Sequence, residues 1–118
     1  MQFFEPEEFS CGDNCGAGFD DMNPDTLAML DEARLIAGTP FNITSAYRCE
    51  DHNYRVGGRD NSAHTKGYAV DIEAESSSQK FDIVRGLIIA GFNRIGVYAD
   101  FIHVDNDPSK PGQVMWHG

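Results

Sequence analysis

Four histidines and nineteen acidic side chains are the groups in this chain best suited to hold a metal or move a proton. His64 stands in a polar stretch, Ser62-Ala-His-Thr-Lys-Gly67, and His103 in the middle of an apolar one, Phe101-Ile-His-Val-Asp105. Asp71 interrupts Ala69-Val-Asp-Ile72, where an ionised carboxylate is costly unless it is paired or metal-bound. Two imidazoles and one carboxylate give three protein ligands and leave a fourth position for water, the layout of a catalytic zinc site. On a single helix His64 and Asp71 would lie about 10 Å apart and could not share an ion. The chain must therefore turn back between them, and Gly67 supplies a joint. His52, in a polar segment, and His117, beside the last residue, lack such a setting.

Asp100 comes three residues before His103. On a regular strand such positions face opposite sides, so Asp100 reaches the same point only from the corner at Ala99-Asp100. A carboxylate beside a metal-activated water can act as general base; the plainer reading is a turn aspartate. Arg48 follows Ser45-Ala-Tyr47, and its fork suits a substrate carboxylate or a developing oxyanion; a surface salt bridge is the competing reading. The cysteines, Cys11, Cys15 and Cys49, are odd in number and form no complete disulfide framework. One disulfide, a structural metal using Cys11, Cys15 and a third group, or three reduced thiols all fit, and reduced thiols are expected. Asp13, Asp20, Asp21, Asp105 and Asp107 offer oxygen ligands, but without the spacing of an EF-hand.

The elements that must position these residues are short. Asn23-Pro24-Asp25 reads as a helix start, with an Asn cap, Pro in the first turn and an acid at the positive end of the dipole. Leu27, Leu30, Ala33 and Ile36 can form its buried stripe, and Gly38 and Pro40 end it. Phe41–Tyr47 predicts a strand, Arg48–Val56 a polar helix, Arg59–Gly67 a loop and Tyr68–Glu73 a second strand. Ser76 caps a helix reaching about Ala90, with Phe81, Val84, Leu87 and Ile88 inward. Arg94–Tyr98 and Phe101–Asp105 are strands around a tight corner, and Val114–Trp116 fits a last one. This order predicts an α+β fold with a small antiparallel or mixed sheet. Residues 1–22 carry Phe3, Phe4, Phe9 and Phe19 without a period, so the segment is expected to pack onto one domain spanning 1–118.

Composition narrows the function. The chain has 118 residues, 41% of them hydrophobic, and a net charge of −10. An excess of acid argues against binding nucleic acid or an anionic membrane, which needs clustered Lys and Arg. No apolar run approaches the ~20 residues needed to insert in a bilayer. Met1–Phe9, with three glutamates and no basic residue, does not read as a secretory signal peptide.

Ser45-Ala-Tyr-Arg48, then Asn53, Gly57-Gly58, Ser62-x-His64-x-x-Gly67-x-Ala69-x-Asp71 and Asp100-x-x-His103-x-Asp105 resemble, in order, the zinc D-Ala-D-Ala carboxypeptidase and endopeptidase family. The likeness is to its small single-domain phage endolysin branch, the L-alanyl-D-glutamate peptidases. It covers Ile43 to Asp105 and implies a hedgehog/DD-peptidase-like fold. It further implies that His64, Asp71 and His103 bind Zn²⁺, that Asp100 is the general base and that Arg48 contacts substrate. Many relatives carry Glu where this chain has Asp100. The implied substrate is the stem peptide or cross-link of bacterial peptidoglycan. A monomer is expected, held in the host cytoplasm if phage-encoded and acting on the wall after release. A bacterial D-Ala-D-Ala carboxypeptidase is the alternative enzyme. A non-catalytic zinc-containing wall-binding or virion module is the alternative of another class. The Phe-x-Cys-x-x-x-Cys opening lies outside the catalytic pattern.

Overall fold

The computed structural model describes residues 1–13 and 15–118. Three α-helices and a five-stranded mixed sheet make an α+β fold, as the order of elements predicts. The helices are α1 (Pro24–Ala37), α2 (Glu50–Arg55) and α3 (Ser77–Ile89). The strands are β1 (Ile43–Ser45), β2 (Ala69–Glu73), β3 (Arg94–Val97), β4 (Phe101–Asp105) and β5 (Val114–His117). They lie in the order β1-β2-β4-β3-β5, antiparallel throughout except for the parallel pair β3 and β5.

Local signals set the ends of α1. The Asn23 side chain accepts a hydrogen bond from the Thr26 N–H at 3.0 Å, and Gly38 closes the helix in the left-handed region. Its buried residues include Leu27, Leu30, Ala33 and Ala37, while Ile36 is only half-buried. The Ser76 hydroxyl caps α3 by accepting from the Gln79 N–H at 3.1 Å. The inward face of α3 differs from the expected one. Ile83, Gly86 and Leu87 are buried, whereas Phe81 is 68% and Ile88 50% exposed. The cause is the close approach of α1 and α3 at Gly86, where a Cβ would lie 2.6 Å from the Ala33 carbonyl and 2.9 Å from the Ala37 Cβ. Small residues select that face, and the bulkier stripe is left outside. The first strand is shorter than Phe41–Tyr47, and the 59–67 segment contains a 3-10 helix, Ala63–Lys66.

Alternate residues on the sheet divide its two faces. Val70, Ile72, Ile95, Ile102 and Val104 join Leu30, Ala33, Ile83 and Leu87 in the buried core. Phe4 and Phe9 belong to the same core, with Phe3 and Phe19 packed against it. The Phe9 ring meets Phe4 at 5.8 Å and Phe19 at 5.9 Å between centroids. Main-chain N–H groups of Gln2 and Phe3 donate to the Asp31 carboxylate of α1. No helix among the described residues is long and apolar enough to cross a membrane.

Candidate metal centre

The other face of the sheet carries the candidate site. Ser45, Asp71, His103, Gly96 and Trp116 are successive register partners across β1, β2, β4, β3 and β5. Directly opposed residues share a face, so the register alone sets Asp71 beside His103. His64 comes from outside the sheet, on the 3-10 helix that Ser62 caps. Gly67 ends this helix with φ +80°, and a Cβ there would stand 2.2 Å from the Asp21 carbonyl. Only glycine fits that turn, which folds His64 back over β2.

His64, Asp71 and His103 each offer a ligand atom, all within 4.8 Å of one another. Asp71 Oδ1 lies 3.2 Å from His64 Nε2 and 3.0 Å from His103 Nδ1. The outer nitrogens define what faces inward. His64 Nδ1 lies 2.7 Å from the Ala46 carbonyl, an acceptor only, so this nitrogen carries the proton. His103 Nε2 lies 2.8 Å from Asp105 Oδ2, so it too is the donor. In the neutral rings two lone pairs therefore converge on one carboxylate oxygen, an arrangement that needs a cation or extra protons among the three groups. The spacings approach the edge of about 3.3 Å in a tetrahedron of 2.0–2.1 Å zinc–nitrogen and zinc–oxygen bonds. The donor set thus fits Zn²⁺.

Protons on the rings are the other source of positive charge. Burial opposes ionisation of Asp71, but hydrogen bonds from His103 and His64 overcome it and hold the carboxyl well below the usual carboxylate range. Burial also opposes charging of His103, and its bonds to Asp105 and Asp71 outweigh that and raise it. Asp105 is 1% exposed, receives Arg94 Nε at 2.7 Å, and is kept ionised. Its role with His103 is the carboxylate–imidazole pairing that orients metal ligands. From sequence, Asp105 is a possible oxygen donor and the last residue of the Asp100-x-x-His103-x-Asp105 pattern, with no role of its own. The signal available was His103-x-Asp105 on one strand, two side chains on the same face.

Arg48 is half-buried, its Nε has no hydrogen-bond partner among the described residues, and burial lowers its pKa against the pull of Asp71. Its N–H donates to the His64 carbonyl at 3.2 Å, which ties it to the same corner. Asp100 is exposed on the β3–β4 corner and outside the three-residue cluster. Its carbonyl accepts from the Ala74 N–H at 3.0 Å. His52 lies on α2 and His117 ends β5, and neither joins the cluster. Trp116, not singled out from sequence, walls the site. It lies 5.6 Å from the His103 ring, donates from Nε1 to Tyr98 Oη at 2.9 Å, and occupies the space a side chain at Gly96 would need.

Three nitrogen and oxygen donors on the open face of a small mixed sheet form an arrangement that could hold a hydrolytic metal ion. Residues 2–105 match the family described as Peptidase M15. The chain belongs to that family, whose members are zinc peptidases. No curated protein matches the chain.

Proposed function

We propose that the protein is a zinc-dependent peptidoglycan peptidase, a phage-type lytic enzyme cutting an amide bond in the stem peptide or cross-link. The convergence of His64 and His103 on Asp71 carries this reading, and membership of the peptidase family supports it. His64, Asp71 and His103 hold the metal. Zn²⁺ bound there supplies Lewis acidity and lowers the pKa of water. Asp100 accepts the proton of the attacking water and returns it to the leaving amine, entering from the β3–β4 corner. Arg48, whose Nε has no partner among the described residues, binds a substrate carboxylate or the developing oxyanion. Asp105 positions His103. Trp116, which donates to Tyr98, stands beside His103 and offers the peptide an aromatic wall.

Mass spectrometry of digested peptidoglycan tests the proposal and names the bond. Cleavage within the stem or cross-link is expected. Removal of only a terminal D-Ala would make the enzyme a carboxypeptidase instead. Asp100→Asn should slow cleavage about 10²–10⁴-fold while keeping the zinc, and an unchanged rate would remove Asp100 from the mechanism.

A further inference from the structure

A second group of metal-ligating side chains lies apart from the His64, Asp71 and His103 centre, and the proposed hydrolysis makes no use of it. Cys11, Asp13, Cys15 and Cys49 each place a ligand atom within 4.8 Å of the others. We propose that this cluster is a structural site for Zn²⁺, held by the three thiolates and the Asp13 carboxylate.

The spacings distinguish an ion from a disulfide. Cys11 Sγ and Cys49 Sγ stand 3.7 Å apart. A disulfide needs about 2.05 Å, whereas the edge of a tetrahedron of 2.3 Å zinc–sulfur bonds is about 3.8 Å. Asp13 approaches both sulfurs, Oδ1 at 3.1 Å from Cys11 and Oδ2 at 3.3 Å from Cys49. The Cys49 N–H points at Cys11 Sγ, 3.4 Å away, a contact that favours a thiolate acceptor. One disulfide would leave the third thiol over, while an ion uses all three. Thiolates select a soft ion such as Zn²⁺ over Ca²⁺ or Mg²⁺. Binding releases the thiol protons. Four anionic ligands leave the site net negative, and Arg55, paired with Asp13, supplies a counter-charge.

The site joins two distant parts of the chain. Cys11 and Cys15 lie in the N-terminal segment, and Cys49 immediately precedes α2. Cys49 also directly follows Arg48, so an ion there clamps the N-terminal loop to the β1–α2 connection that carries the arginine. The inference rests on this cluster alone and does not depend on the proposed hydrolysis.

Native alkylation of the full chain, read by mass, tests it. Cys11 is buried but Cys15 is exposed, so a free Cys15 would react at once. The three cysteines should resist labelling until a chelator is added, and then all label. Labelling without chelator would overturn the site, and so would protection lifted only by a reductant, the mark of a disulfide. A His64→Ala/His103→Ala variant, in which the first centre is removed, should keep about one zinc per chain by elemental analysis. Adding Cys15→Ser should abolish it. A zinc-free double histidine variant would overturn the inference while leaving the peptidase reading to its own test.

Discussion

Asp71 Oδ1 is shared by two imidazoles whose outer nitrogens are already committed, His64 to the Ala46 carbonyl and His103 to Asp105. The outer partners therefore decide which nitrogen each ring offers. Asp105→Asn keeps the shape but weakens the hold on His103 Nε2, so zinc affinity should fall about 10–100-fold. Competition with a chromophoric chelator measures this, and an unchanged affinity would reduce Asp105 to a partner of Arg94. The grouping of His64, Asp71 and His103 was legible because Asp71 interrupts an apolar strand and cannot stay ionised there unpaired. The work of Asp105 was hidden, because it depends on Arg94 lying opposite it on β3. That the Arg48 Nε has no partner among the described residues is likewise a matter of burial in the folded chain, and spacing does not reveal it.

The 3-10 helix bearing His64 is held at both ends. Gly67 turns the chain back, and its carbonyl accepts from the Asn23 N–H at 2.9 Å. From the other side, buried Asp107 receives Lys66 at 3.3 Å, Lys110 and the Ser109 N–H. Lys110 also donates to the Asn61 carbonyl at 2.7 Å, tying the segment after β4 to the approach of this helix. Burial opposes the charge of Asp107, but the bonds from Lys110, Ser109 and Lys66 prevail and its pKa is lowered in the fold. Such a group stabilises fully above its unfolded value of about 4, and the contribution is lost as pH falls through its lower folded value. Asp107→Asn should thus cost about 1–3 kcal/mol at pH 7. Urea unfolding should show the gap to wild type narrowing on acidification below about pH 4, whereas a constant gap would assign the loss to packing. Helix ends were readable from Asn23, Gly38 and Ser76, whose capping chemistry is local. The inward face of α3 was not, because Gly86 against Ala33 and Ala37 is a contact between helices.

Across the whole molecule, the core on one face of the sheet backs the row that carries Asp71 and His103 on the other. The N-terminal segment shares that core through Phe4 and Phe9. Phe9 is fully buried, so Phe9→Ala should cost about 3–5 kcal/mol in chemical unfolding. A cost below about 1 kcal/mol would detach the segment from the cooperative unit. The mixed sheet was legible from short strands flanking a tight corner, but the parallel pairing of β5 with β3 was not, since a terminal strand carries no signal for its neighbour. That pairing brings Trp116 to His103. The central claim, that His64, Asp71 and His103 hold a zinc ion serving peptidoglycan hydrolysis, is tested most directly by amine release. Purified peptidoglycan is incubated with the protein, and new free amino groups are counted before chelation, after it and after zinc is restored. The account predicts release that stops on chelation, returns with zinc and is absent in His64→Ala. Release that persists in folded, zinc-free His64→Ala would contradict it.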